Sequence, residues 1–130
     1  MRATEFIVES FPAGKNKNNE FIKKYTPWIA DQLELKQLPK IELLDDPINP
    51  SFGTFDADND TLYLVTAGRH PVDVLRTMAH ELTHYKQRLE GRITHDSGTT
   101  GSDEENEANV RAGVIMRDFN QEHPDFLKTK

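Results

Sequence analysis

Apolar positions along this chain recur with two different periods, and the changes of period mark out its elements. From Glu20 onward Phe21, Ile22, Tyr25, Trp28, Ile29 and Leu33, with Leu35 just beyond, recur at helical spacing, as in a helix with one buried face. Pro27 interrupts that run. An interior proline costs about 3 kcal/mol, so the sequence predicts a kink or two short pieces, with Trp28 as a core residue. Lys40-Ile41-Glu42-Leu43-Leu44 reads as a strand closed by Asp45-Asp46-Pro47. Phe52-Gly53-Thr54-Phe55 and Thr61-Leu62-Tyr63-Leu64-Val65-Thr66 read as the two strands of a hairpin. Between them Asp56-Ala57-Asp58-Asn59-Asp60 carries acids at alternate positions, as calcium loops do, but without the glycine and terminal glutamate of an EF-hand, so it reads as a turn.

Pro71 suits the first position of a second helix, with Asp73 in its first turn and Gly91 as its stop. At 100° per residue Leu75, Met78, Leu82, Tyr85 and Leu89 share one sector, and His80 and His84 lie roughly opposite. A last helix starts at Ser102, runs through Ala108, Ala112, Ile115, Met116 and Phe119, and ends before Pro124. Met1 to Val8 is compatible with a short strand or a helical turn. Ser10 to Asn19 and Arg92 to Gly101 read as exposed connections, and Asp125 to Lys130 as a loose tail.

The second helix contains His80-Glu81-Leu82-Thr83-His84, the pattern H-E-x-x-H. Residues four apart are about 40° apart around a helix axis, so the two imidazoles point the same way and can grip one metal ion. Glu81 then lies beside the ion, where its carboxylate can act as general base on a metal-activated water. Five such residues arise by chance in a chain of this length on the order of once in a few hundred cases. The competing structural account is a partly buried helix whose histidines hydrogen-bond locally, but core histidines would sit among the leucines, and these do not.

Composition narrows the chemistry. A chain of 130 residues builds one domain, 1–130, with a single core. The net charge of −6 disfavours nucleic acid or an anionic membrane as the main partner. With no cysteine there is neither a disulfide nor a thiolate zinc site, so a metal must be held by His, Asp or Glu. Phe6-Ile7-Val8 between Glu5 and Glu9 is too short and too acidic for a secretory core, and no run approaches membrane-spanning length. The expectation is a soluble, cytoplasmic protein, taken as a monomer.

A catalytic zinc takes three protein ligands and keeps one position open. Asp103-Glu104-Glu105-Asn106-Glu107-Ala108-Asn109 offers four carboxylates for the third. The buried stripe of the last helix extends backward most directly to Glu105 and Glu104, and Glu107 points away. Glu105 is favoured, because Asn109 stands four residues on and could hydrogen-bond a ligand histidine. Against this, Glu105 also completes a capping box with Ser102, and Glu104 or Glu107 remain alternatives. For the group that steadies a developing oxyanion or contacts substrate, Tyr63, His95 and Arg111 are candidates. Tyr85 falls on the anchored face, which favours core.

His80-Glu81-Leu82-Thr83-His84 followed by Glu105-Asn106-Glu107-Ala108-Asn109 resembles the gluzincin zinc peptidases, whose second motif is a helical Glu followed by a small residue at the third position and Asp or Asn at the fourth. Ala108 and Asn109 match those positions. The short chain is most similar to minimal gluzincins and to ImmA/IrrE-type peptidases of phage, mobile elements and bacteria. After Asn109, Val110-Arg111-Ala112-Gly113 stands where those chains carry a more apolar Phe-Ala run. The likeness covers about Thr61 to Phe119. It implies an α+β, zincin-like fold: a small antiparallel or mixed sheet on the H-E-x-x-H helix, an N-terminal helical region and a C-terminal helix carrying the third ligand. It also implies a metallopeptidase with one Zn²⁺ per chain on His80, His84 and Glu105, Glu81 as general base, Asn109 behind a ligand, and a peptide or protein substrate. The alternative is a catalytically silent zinc-binding regulatory or interaction module of the same fold. Met1-Arg2-Ala3-Thr4-Glu5-Phe6-Ile7 looks like the opening of many tailed-phage proteins, which would place the protein in the host cytoplasm. Thr61–Thr66, taken as the sheet edge above the cleft, would pair with an extended peptide.

Overall fold

The computed structural model describes residues 17–45, 52–67, 69–92 and 102–123. These form an α+β domain with three helices and a small mixed sheet: α1 (Lys17–Gln32), β1 (Lys40–Leu44), β2 (Gly53–Asp56), β3 (Thr61–Val65), α2 (Pro71–Leu89) and α3 (Asp103–Glu122). None of the described helices is long and apolar enough to cross a membrane. The expectations for Met1 to Val8, for residues 10–16, for His95 with its connection, and for the tail after Pro124 lie outside the described residues.

α1 departs from expectation at its start. It begins at Lys17, inside the stretch expected to be an exposed loop, and Asn18 and Asn19 are buried. Their polarity serves the fold: the Asn18 amide donates to the Thr66 and Arg69 carbonyls, both at 2.7 Å, and Thr66 Oγ1 donates to Asn19 Oδ1 at 2.7 Å. Buried carbonyls of the β3–α2 connection are thereby satisfied from another element. Pro27 lies within a single helix rather than dividing two. The carbonyl that its missing N–H would have met belongs to exposed Lys23, where water can satisfy it, and Thr26 Oγ1 donates to Ile22 O at 2.6 Å. The helix ends with Glu34 in the left-handed region at φ 61°, and Leu35 N–H reaches back to Ala30 O at 2.9 Å, which puts the Leu35 side chain into the core.

The sheet order is β1-β3-β2, with β1 parallel and β2 antiparallel to β3. The hairpin is as expected, but among the described strands β3 is central, with β1 on one side and β2 on the other. A strand hydrogen-bonded on both sides has no edge to offer a peptide, so the expectation that Thr61–Thr66 is the sheet edge is corrected. Leu62 and Leu64 are fully buried on one face of β3, and the pleat sends Tyr63 to the other. The acidic loop is a turn, with Asp56 accepting from Asp58 N–H at 3.0 Å and from Asn59 Nδ2 at 2.8 Å.

α2 starts where expected. His70 caps it, its Nδ1 accepting from Val72 N–H at 3.1 Å, and Pro71 needs no donor there. It stops with Gly91 at φ 77° while Arg92 N–H bonds Gln87 O at 2.9 Å, the left-handed ending that favours glycine. Leu75, Met78, Leu82 and Tyr85 are buried, but Leu89, expected in that stripe, is 45% exposed because the helix runs past the edge of the core. α3 packs chiefly on α2 through Ala108, Ala112, Ile115, Met116 and Phe119, all buried. Phe119 has Tyr25 and Trp28 edge-on at 5.0 and 5.5 Å, so α1 and α3 share one aromatic knot and Trp28 lies against the core.

Candidate metal centre

Two stripes of α2 divide the work. Thr77 and Glu81, one turn apart, lie under β2, and His80 and His84, also one turn apart, face α3. Small residues permit both approaches. A Cβ placed on Gly53 would stand 2.5 Å from Thr77 Cγ2 and 3.4 Å from Glu81 Cγ, so only a bare backbone lets β2 lie this close to the helix. On the other side Ala108 and Ala112 bring α3 near enough for a glutamate to span the gap.

That glutamate is Glu105. Its Oε2 lies 3.2 Å from His80 Nε2 and its Oε1 3.0 Å from His84 Nε2. Among the described residues His80, His84 and Glu105 form a group that could hold a metal ion, with ligand atoms all within 4.8 Å of one another. Tetrahedral ligands at about 2 Å from a common centre are spaced about 3.3 Å apart, close to the two histidine–carboxylate separations. The capping and ligand accounts of Glu105 turn out to be compatible: its backbone N–H donates to Ser102 Oγ at 3.1 Å, leaving the side chain to reach the histidines. Glu107 instead bonds Gln87 Nε2 at 2.9 Å and Arg92 at 2.6 Å.

The hydrogen bonds behind His84 decide its tautomer. Gln87 Nε2 donates to Glu104 O and Glu107 Oε1, each at 2.9 Å, which turns Gln87 Oε1 toward His84 Nδ1 at 2.8 Å. An amide oxygen only accepts, so Nδ1 carries the proton. If the ring is neutral, Nε2 presents a lone pair to a carboxylate oxygen 3.0 Å away. Two acceptors that close repel unless a proton or a cation lies between them. A cation shared by His80 satisfies all three groups at once, so the donor set fits a divalent metal that accepts nitrogen and oxygen. The sequence signal for Gln87 is its place three residues after His84, on the same face of the helix.

His80 is held below the usual histidine range, first by burial, with the Glu105 carboxylate opposing and His84 adding to the shift. Its neutral form, the one that ligates, is thus favoured near neutral pH. Asn109 lies close enough to the His80 side chain to favour its charged form slightly. Glu81 is only 8% exposed, and burial pushes its carboxyl up to about 7, partly countered by His84 and reinforced by Glu105.

A cavity of about 330 Å³ opens beside His80 and Glu81, walled by Phe52, by Arg69 and by Arg76 and Thr77 of α2, with Asn109 opposite. The other site candidates are placed elsewhere. Tyr63 stands on the sheet face away from Leu62 and Leu64. Arg111 lies near Glu107, whose carboxylate it helps hold down. Tyr85 is 3% exposed with Phe55 edge-on at 5.7 Å, and its phenol is raised by burial, as suits a core residue. Arg69 and Arg76 also line the cavity, and nothing in the sequence around them distinguishes them from surface arginines. No known protein family, curated protein or solved structure matches this chain.

Proposed function

We propose that the chain is a zinc-dependent peptidase of zincin-like fold and gluzincin type, with His80, His84 and Glu105 as ligands and Glu81 as general base. One observation carries this: three donors from two helices converge, and the carboxyl beside them is buried and poised near neutral pH. Two imidazoles with one carboxylate is the donor set of a hydrolytic zinc site, and zinc, when bound, polarises a carbonyl and acidifies water. Glu81 takes a proton from the attacking water as its oxygen bonds the acyl carbon. It then delivers that proton to the amine as the C–N bond breaks. Gln87 fixes the His84 ring and Asn109 contacts His80, so both imidazoles are aimed before any ligand arrives. β2, an outer strand among those described and the one beside the cleft, replaces β3 as the strand along which an extended peptide would pair.

Elemental analysis of purified protein should find one zinc per chain, lost in His84→Ala. Glu81→Gln should keep the zinc and lose cleavage of a mixed peptide library by at least a hundredfold. Zinc with no Glu81-dependent cleavage would leave a zinc-binding regulatory module, and no stoichiometric metal would end both accounts.

A further inference from the structure

The cavity next to Glu81 carries a charge that the hydrolytic machinery does not use. This chain has a net charge of −6, yet among the described residues the two charged ones of the cavity wall outside the catalytic group are both cations. Arg69 is held rigidly: Nη1 donates to Val65 O at 3.0 Å, Nη2 to Thr77 Oγ1 at 2.9 Å and to Asp73 O at 3.3 Å, and the guanidinium lies 4.6 Å over the Phe52 ring. Its hydrogen bonds are to neutral oxygens and orient the cation, whose charge the nearby Asp73 carboxylate offsets only in part. Arg76 differs. It is exposed, it makes no ion pair with any described residue, and it stands one turn before His80 on the stripe that continues to His84. Its guanidinium therefore stands beside the metal ligands with no described carboxylate paired to it.

From this we infer that the cavity is a subsite for a carboxylate of the substrate, Arg76 pairing with an Asp or Glu side chain near the scissile bond while Arg69 supplies a fixed positive field. The inference rests on the peptidase reading for its substrate class. Guanidinium and carboxylate match in a bidentate fork, which gives orientation as well as attraction. A volume of about 330 Å³ takes one such side chain with part of its backbone.

The test uses zinc-loaded Glu81→Gln protein and a degenerate hexapeptide library, acetylated and amidated so that side chains provide the only carboxylates. Sequencing of the bound fraction should show Asp and Glu enriched about tenfold at one position. Adding Arg76→Gln should bring that enrichment close to onefold, and Arg76→Lys should restore part of it. No acidic enrichment, no retained peptide, or an enrichment indifferent to Arg76→Gln would each overturn the subsite. The same library given to the protein with native Glu81 reads hydrolysis separately. Acidic enrichment without cleavage sinks the peptidase and leaves the subsite standing. Cleavage with no acidic preference does the reverse.

Discussion

Replacing Glu81 by Gln should make the metal-free protein more stable, although it removes the proposed general base. The carboxyl is buried and its pKa lies at about 7, against an ordinary 4.5. An acid whose folded pKa is raised binds its proton more tightly when folded, so the unfolded chain releases it first as pH climbs. Stability is therefore lost between about 4.5 and about 7 and is flat above. At about 1.4 kcal/mol for each tenfold change, the ionised side chain costs the apoprotein up to about 3 kcal/mol at pH 8. Glutamine resembles the neutral acid in shape and polarity and avoids that cost. His80, held low by burial, works in the opposite direction, but it is present in both proteins and largely cancels in their difference. Urea unfolding in the presence of chelator should give similar midpoints at pH 4. At pH 8 the variant's midpoint should be higher by roughly 1 to 2 M, for a slope of about 2 kcal/mol per M. Saturating zinc should shrink the gap, since a dication beside the carboxylate favours its charged form. A variant no more stable than the parent at pH 8 without metal would refute the buried-charge account.

Three further outcomes follow from particular contacts. Gly53→Ala should destabilise by about 1 to 3 kcal/mol, because its Cβ meets Thr77 Cγ2; Thr77→Ser, which deletes that methyl and keeps the hydroxyl, should recover most of the loss in a double-mutant cycle. Gln87→Leu should weaken zinc affinity about 10- to 100-fold by competition titration, whereas unchanged affinity would mean that the His84 ring is oriented by something else. Glu34→Gly should raise stability by about 0.5 to 1 kcal/mol in thermal melts, since the residue occupies the left-handed region without being glycine.

Local features of the sequence were read correctly where the physics is local. Pro71 and Gly91 bracket α2, Ser102 caps α3, and the four-residue step between His80 and His84 gives one shared direction on a helix, whatever surrounds it. The stripe from Ala108 to Phe119 likewise follows from periodicity, and it narrowed the third donor to a few carboxylates. Where two helices meet is a different matter. The contact between His84 and Glu105 spans 21 residues, and the Asn18 bond to Thr66 spans 48. Such pairings depend on which faces pack and at what depth, which no window along the chain contains.

The sequence by itself thus determined that two imidazoles and an acid share one helix, and where that helix begins and ends, because backbone geometry sets side-chain direction over a few residues. Only the tertiary structure decided that Glu105 completes the group, that Gln87 holds the His84 ring, that β3 is central and β2 outer, and that Arg69 and Arg76 face the cleft. Each of those depends on the close approach of separate elements, made possible here by Gly53 in β2 and by Ala108 and Ala112 between the helices.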